Sequence, residues 1–527
     1  VVRPSPWHTE GPVNRREHYC LSPLDRFDLD EILTLIQRKK YFLLHAPRQS
    51  GKTTCLLALV DCLNELGTYR ALYANIEGAR AARENVREGI GAVVHAIAGQ
   101  AKWRLLESGT EKLAKSVLEE KPPPVALDEF LAAWCAPADK PTVLLLDEAD
   151  ALVGDTLISL PRQLRAGYPK RPELFPQSVV LCGVRDIRDY RIHSSAEKAV
   201  VTGGSAFNIK AASLRLGDFT REDVFGLLRQ HTEETGQIFE PDAAELVWEY
   251  TRGQPWLVNA LAYEVCFRMK ENRDRTRSVT ADMIFGAKER LIRERVTHLD
   301  QLADKLREPR VRRIVEPMMA GDNLADMNPD DIRYVVDLGL CRLEPTGRLV
   351  AANPIYREVM PRELAFVSQA SLPHIAPTWL KPDGGLDAGG LLDAFLAFWR
   401  QHGEPLLKSA PYHEIAPHLV LMAFLNRVVN AGGTLEREYA IGTGRMDLCA
   451  RYGGETLAIE LKVWRDGAPD PLARGLEQID GYLRGLGRDT GWLVIFDRRS
   501  GLPPVAERTA AAMAETPSGK VVTVVRA

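Results

Sequence analysis

Residues 41–57 read YFLLHAPRQSGKTTCLL, and this stretch decides the fold. Tyr41 to Leu44 is a short apolar run of the kind that forms a buried strand. A tight polar loop follows, and Gly51-Lys52-Thr53-Thr54 opens an apolar helical pattern. Strand, loop and helix in that order make a phosphate-binding loop, because each part has a physical task. Gly51 lets the backbone approach phosphates, and the helix N-terminus presents unpaired N–H groups to an anion. Lys52 reaches the β- and γ-phosphates, while the Thr53 hydroxyl holds Mg²⁺. Pro47, Arg48, Gln49, Ser50, Gly51, Lys52, Thr53 and Thr54 are therefore the expected nucleotide-binding set. One position departs from the G-x-x-x-x-G-K-S/T pattern: Ala46 stands at the first glycine.

A second motif strengthens the first. Pro141 to Asp150 reads PTVLLLDEAD, a continuous apolar run that predicts a strand buried on both faces of a parallel sheet. Acids at its carboxyl end face the ligand crevice. Asp147 is placed to bind Mg²⁺, directly or through water, and Glu148 to polarise an attacking water. The next buried strand, Ser178 to Cys182, runs into Gly183-Val184-Arg185. Arg185 either reads a γ-phosphate or is an ordinary surface arginine, and the sequence favours neither. Arg162 and Arg165, one helical turn apart, read as a solvated face, with an arginine-finger role as the alternative. Glu77, at the end of a strand over Ala71–Asn75, reads as a solvated loop acid. Asp28 to Gln37 has helical spacing with acids in its first turn. Further on, Phe219-Thr220-Arg-Glu-Asp223 is a capping-type helix start, and Arg252-Gly253-Gln254-Pro255-Trp256 interrupts two helices.

Together PRQSGKTT (47–54), LLLDE (144–148), Arg185 and the G-x-P of Gly253-Gln254-Pro255 resemble the STAND-type P-loop ATPases of the wider AAA+ assemblage, over roughly residues 20–300. The resemblance implies ATP as ligand, Arg185 as a nucleotide sensor, and Pro255 in a helical lid touching the base. That group includes slow hydrolysers that act as switches, so it implies binding more firmly than turnover.

A chain of 527 residues predicts three or four domains. With 45% hydrophobic residues, 26% charged residues and a net charge of -3, composition is globular. A nucleic-acid partner would have to meet a local patch rather than a global basic excess. Eight scattered cysteines without metal-ligand spacing read as buried thiols in a reducing cytoplasm. No apolar h-region and no membrane-spanning run is evident, so no membrane partner is expected.

Glu308–Glu316 and Pro329–Leu338 read as helices, and Cys341–Val350 as a hairpin, the order of a winged helix. Arg307, Arg310, Arg312 and Arg313 lend it positive charge. Asp330, Asp331 and Asp337 oppose insertion into a DNA groove, so packing against the ATPase is the expected role. Prolines and glycines mark a break over about residues 366–390, and Leu391–Arg400 reads as an aromatic-rich core helix.

The C-terminal stretch holds a second candidate site. Asp447 begins one strand after a Gly-rich turn, and Glu460 and Lys462 share one face of another. A hairpin between them sets two carboxylates side by side, a set suited to Mg²⁺ or Mn²⁺, with Lys462 stabilising developing charge. Trp492–Phe496 is the expected closing strand. Asp447 with Glu460-Leu461-Lys462 resembles the core motif of the PD-(D/E)xK nuclease superfamily. Gln478-Ile-Asp-Gly-Tyr482 looks like the Q-x-x-x-Y element of RecB-type members, which implies a catalytic role for Gln478. Glu414, opening an apolar helix, matches that family's first-helix acid, and Glu438 competes for the place. Met446 stands where the family's proline usually lies.

The expected architecture is multidomain α/β. A P-loop ATPase (1–217) is followed by a helical lid (218–300), a winged-helix-like module (301–366), a linker and helix (367–408), and a nuclease-like domain (409–527). The whole resembles bacterial and archaeal AAA-ATPase-like proteins fused to such nucleases, which implies defence against foreign DNA. The expected function is an ATP-controlled, Mg²⁺-dependent nuclease, DNA favoured, with possible homo-oligomers and an activating partner. The alternative is a signalling or scaffold ATPase whose nuclease-like domain binds without cutting. A translocating motor is disfavoured, since helicase motifs and a second nucleotide-binding domain are not recognisable.

Overall fold

The computed structural model describes residues 6–184, 191–193, 200–202, 210–294, 297–320, 327–361, 379–381, 385–409, 417, 420–422, 424–425, 434–441, 444–452 and 454–527. By compactness the chain divides into two units: Val1–His298 with Asn328–Pro354, and Leu299–Met327 with Ile355–Ala527.

In the first unit, α1 (Leu29–Gln37) leads into β1 (Tyr41–His45), and α2 (Lys52–Glu65) into β2 (Arg70–Asn75). Three helices follow that the sequence reading had not singled out: α3 (Val86–Arg104), α4 (Thr110–Glu120) and α5 (Pro123–Cys135). Then come β3 (Thr142–Asp147), α6 (Gly154–Ala166), β4 (Ser178–Gly183), the short pair β5 (Arg191–His193) and β6 (Val200–Thr202), and β7 (Lys210–Arg215). The main sheet is parallel throughout, in the order β2-β3-β4-β1-β7.

Alternate residues of these strands enter two separate cores. Tyr41, Leu43, Leu144 and Leu146 pack with Ile90 and Val94 of α3 and Phe130 of α5. Phe42, Leu44, Val143 and Leu145 pack with Ile32 and Ile36 of α1 and Leu56 and Leu59 of α2. Burial on both faces is why β1, β3 and β4 read as unbroken apolar runs. Asp28 caps α1, its side chain accepting from the Glu31 amide at 2.9 Å.

The unit continues with α7 (Arg221–Thr235), α8 (Pro241–Thr251), α9 (Pro255–Tyr263) and α10 (Ala281–Arg293). The α7 start is a full capping box: the Thr220 side chain accepts from the Asp223 amide, and the Asp223 side chain accepts from the Thr220 amide. Helices α11 (Thr297–Leu306) and α12 (Pro309–Ala320) come next. From Leu299 onward these two helices belong to the second unit, and the chain returns to the first at α13 (Pro329–Asp337) and the antiparallel strands β8 (Cys341–Leu343) and β9 (Leu349–Ala351). The helix, helix, hairpin order is as expected in sequence, but its first helix falls in the other unit.

The second unit holds α14 (Ala388–Ser409), which extends beyond the expected Leu391–Arg400, and a six-stranded sheet. Trp399 of α14 is buried against Phe496, with ring centroids 5.1 Å apart, so this aromatic helix is core. The sheet is ordered β10 (Thr434–Ile441), β11 (Gly444–Tyr452), β12 (Glu455–Trp464), β13 (Gly491–Asp497), β15 (Val521–Arg526), β14 (Ala510–Glu515), with α15 (Leu472–Leu486) between β12 and β13 in sequence. One expectation is corrected here. Trp492–Phe496 does not close the sheet, because β15 pairs with β13 in parallel and β14 covers β15. All eight cysteines are free thiols. Among the described residues, no helix is long and apolar enough to cross a membrane.

Candidate functional site

The phosphate-binding loop follows β1. Ala46, at the first glycine of the pattern, is fully buried with Cys55 and Leu216, and its amide donates to Gly183 O at 3.2 Å. The left-handed residues of the loop are Gln49 (φ 56°) and Gly51 (φ 87°), not Ala46, so this departure leaves the loop's shape intact. Gly51 is the N-cap of α2 and makes no side-chain cap, which leaves the first-turn amides available to an anion. Lys52 is buried, and its Nζ donates to Ala46 O (3.0 Å) and Pro47 O (2.9 Å). Ser50 Oγ also donates to Pro47 O, at 2.7 Å. Arg48 and Gln49 are exposed.

Asp147 is fully buried, yet its oxygens are well supplied with donors. Thr53 Oγ1 donates to Oδ2 at 2.8 Å, Tyr73 OH donates to the same oxygen at 3.0 Å, and the Glu148 amide donates to Oδ1 at 2.9 Å. The hydroxyl and carboxylate expected to share Mg²⁺ thus face each other across the loop. Tyr73 was missed from sequence, although a tyrosine in the apolar run ALYAN beside the acid strand is a legible hint. Burial and the Asp147 charge push its phenol upward, so it remains a neutral donor. Glu148 is half-buried and left-handed (φ 58°). Burial, then the Asp150 charge, raises its carboxyl pKa, the direction a general base at neutral pH requires. Arg162 and Arg165 are exposed on α6, and Glu77 is exposed after β2. Arg185 lies outside the described residues.

Beside this loop is a cavity of about 530 Å³, a size that suits a small ligand. Gly51 and Thr54 line one side, and Phe219, Pro255 and Trp256 another. Sequence reasoning missed the third wall, a strap over residues 7–20. Trp7 and Tyr19 of the strap are buried, and Tyr19 OH is hydrogen-bonded to His231 Nδ1 at 3.2 Å. The His8 amide donates to Asn259 Oδ1 (3.3 Å), Trp256 Nε1 donates to Thr9 O (3.0 Å), and the Val13 amide donates to Thr54 Oγ1 (3.1 Å). Arg26 joins the same wall to the loop. Its guanidinium donates to Ser50 O at 2.9 Å and to Gly217 O, and lies 4.6 Å over the Phe219 ring.

Gly253 fixes the turn between α8 and α9. It is left-handed (φ 78°), and a Cβ there would stand 1.9 Å from Phe219 O, whose own amide donates to Gly253 O at 2.8 Å. Pro255 then starts α9 at a position where a missing N–H costs nothing. Gly253→Ala should destabilise the first unit by about 3 kcal/mol or more, combining a left-handed strain with a backbone clash. Thermal unfolding checks this; a midpoint shift of a degree or less would show that the turn can move away.

Gln49 is held from two sides. Gln254 Nε2 donates to its carbonyl at 3.5 Å, and His298 Nδ1 is hydrogen-bonded to its side-chain oxygen. The His298 imidazole stacks on Trp256, centroids 4.8 Å apart, and burial lowers its pKa to about 4. A folded-state pKa below the unfolded value of about 6.5 means that the neutral ring stabilises the fold above that pH. That stability is lost as pH falls from about 6.5 toward 4, by up to roughly 3 kcal/mol. Unfolding curves at pH 7.5 and 4.5 should show this loss, and His298→Gln should flatten it. An equal loss in the variant would remove His298 as its source. On the loop's other flank, Gly339 (φ 76°) follows α13, and a Cβ there would meet Pro47 Cγ at 2.6 Å. The helix end therefore rests on the loop.

In the second unit, β11 and β12 pair antiparallel from Leu448↔Ile459 to Tyr452↔Glu455, which sets Asp447 across from Glu460. The Leu461 amide donates to Asp447 Oδ2 at 2.8 Å. Glu460 is 2% exposed, and Lys462 Nζ is ion-paired to its Oε1 and donates to Leu461 O at 3.1 Å. Among the described residues, Glu460 Oε2 and, on α15, Gln478 Oε1 are buried acceptors without a hydrogen-bond partner. Burial and then the Asp447 charge raise the Glu460 pKa. The described residues contain no cluster of three or more His, Cys, Asp or Glu that could hold a metal ion. Glu414 lies outside the described residues, as does the side chain of Glu438.

No family model and no curated protein matches the chain. Among solved structures it is similar to a Walker-type ATPase of Pyrococcus abyssi, at 15% identity over 67% of this chain and 99% of that one, with a TM-score of 0.45. The ORC2 protein of Aeropyrum pernix, solved as ADPNP–ADP complexes, matches at 15% identity over 65% and 93%, TM-score 0.40. The ORC1 protein of the same organism, in complex with DNA, matches at 16% identity over 70% and 96%, TM-score 0.35.

Proposed function

We propose that this chain is an AAA+-type ATP-binding switch governing a Mg²⁺-dependent phosphodiesterase that acts on nucleic acid, DNA before RNA. One observation carries the hydrolase: among the described residues Glu460 Oε2 is buried without a partner on a side chain paired with Lys462, while Gln478 Oε1 on α15 is a second such acceptor. Each orphaned acceptor costs about 1–3 kcal/mol, a cost a fold keeps where something fills the gap. A divalent metal suits two carboxylates and an amide oxygen. Asp447, Glu460 and Gln478 would hold it, with Glu414 as a further proposed ligand. Bound there, such a metal activates water and clamps the scissile phosphate. Lys462 would steady the charge that develops on the phosphate.

On the nucleotide side, the α2 amides and Lys52 would take the phosphates, Thr53 and Asp147 a Mg²⁺, and Glu148 the attacking water. The cavity would take the base against Pro255, with Arg185 as the proposed sensor. Exposed Arg162 or Arg165 would act only in a homo-oligomer, which light scattering with and without ATP can detect. Cleavage of linear DNA, circular DNA and RNA with Mg²⁺ or Mn²⁺, with and without ATP, tests the whole. The binding-only alternative draws on the Glu460–Lys462 ion pair, which occupies both groups. It predicts tight binding with no cleavage under any condition.

Because the Glu460 pKa is raised, the carboxylate must shed a proton to ligate the metal. Mg²⁺ or Mn²⁺ affinity should therefore rise with pH through neutrality. Calorimetric titration in two buffers of different ionisation enthalpy should show proton release, and Glu460→Gln should abolish it. Identical heats in both buffers would overturn the assignment.

A further inference from the structure

We propose that the carboxyl ends of β12, β13 and β15 form a cationic rim that holds the sugar–phosphate backbone of a nucleic-acid strand alongside Asp447 and Glu460. The inference rests on the nucleic-acid reading above and names the surface that would meet the polymer. The three strands run parallel and end at one edge of the sheet, where parallel sheets commonly place their ligand sites. Register sets Lys462 opposite Ile495, and Ile495 opposite Arg526, so Lys462 and Arg526 share a face two strands apart, about 10 Å. Trp464 lies two residues beyond Lys462 on that same face.

The rim is built, not a scatter of surface charges. The Arg499 guanidinium lies 3.5 Å from the Trp464 ring centroid and that of Arg526 5.3 Å from it. Asp497 takes Arg499 through both carboxylate oxygens, at 2.9 and 2.7 Å, and Asp470 takes Arg526 at 2.7 Å. Trp464 Nε1 donates to Ala468 O (2.9 Å), the Arg498 amide to Trp464 O (2.8 Å), and the Ser500 amide to Asp466 (3.1 Å). These bonds tie the loops after β12 and β13 into one platform, on which the Arg465 and Arg498 side chains stand exposed.

With Lys462 left to its ion pair with Glu460, segments 463–471 and 497–508 and Arg526 carry five cations (Arg465, Arg498, Arg499, Arg508 and Arg526) against four acids in a chain of net charge -3. Two carboxylates at a hydrolytic centre repel a polyanion, so an adjacent attractive surface is needed to bring phosphates close. Guanidinium forks suit that task, since their N–H groups match phosphate oxygens.

The test is binding of fluorescein-labelled single-stranded DNA and RNA to the full chain without divalent metal, across a salt series. Arg465→Ala/Arg498→Ala and Arg465→Glu/Arg498→Glu are compared with wild type after unfolding curves confirm intact folds. Each lost phosphate contact should lower the salt slope by about 0.7, so the double alanine variant should lose about 1.4 and bind roughly tenfold more weakly. The charge reversal should lose more, on DNA, RNA or both. Wild-type affinity and slope in both variants would overturn the rim, as would an equal loss of binding to polyglutamate. No binding by wild type to either polymer would do the same. If Glu460→Ala abolishes cleavage while the rim variants bind normally, the rim alone fails. If the rim variants lose binding but nothing is ever cleaved, the rim stands and the hydrolase reading fails.

Discussion

Glu460→Ala should reduce Mg²⁺-dependent cleavage by about 10³-fold or more, the scale lost when an electrostatic partner of a transition state is removed. Glu460 is buried beside Asp447, and among the described residues its Oε2 has no hydrogen-bond partner. Alanine would delete the proposed metal ligand and strand the Lys462 ammonium, which now pairs with it. Glu460→Gln is the companion variant, because it keeps the shape and removes only the charge. It should be nearly as inactive while unfolding at about the wild-type temperature. Cleavage surviving in both would show that the hydrolytic site is elsewhere in the chain.

Lys52→Ala should weaken ATP binding by about 100-fold, since charge-assisted hydrogen bonds to phosphates contribute roughly 1.5–3 kcal/mol. Lys52 Nζ sits on the carbonyls of Ala46 and Pro47, inside the loop that would wrap the phosphates. It is thus poised at the anion seat without reaching away from its own backbone. Titration with a fluorescent ATP analogue gives the affinity directly. The same variant should erase any effect of ATP on cleavage and leave nucleotide-free cleavage unaltered. An unchanged nucleotide affinity would rule out this loop as the binding site.

Legibility followed physical cause. The runs YFLLH and TVLLLD were readable because a strand covered on both faces must be apolar throughout, and the capping box at Thr220 because it is local chemistry. Asp447 could be set beside Glu460 because antiparallel register follows from alternation and a tight turn. Three features escaped. The strap over residues 7–20 has no periodicity of its own, and its order comes from partners some 250 residues away, such as Asn259 for His8. Ala510–Glu515, AAAMAE, favours helix by propensity, yet pairs as an edge strand because VVTVVR beside it offers an open edge. Tyr73 acquires its role only when β2 lies against β3, a neighbour relation that no single stretch encodes.

The strap also sets a timetable. His8 meets Asn259, and Trp256 meets Thr9, across 251 and 247 residues of chain. At about 5–20 residues per second on the ribosome, the strap must wait roughly 12–50 seconds for its docking partners to be synthesised. Throughout that interval Trp7 and Tyr19 have no core to enter, and the cavity lacks a wall. The growing chain therefore passes through a long stage in which this cavity stands open on the strap's side.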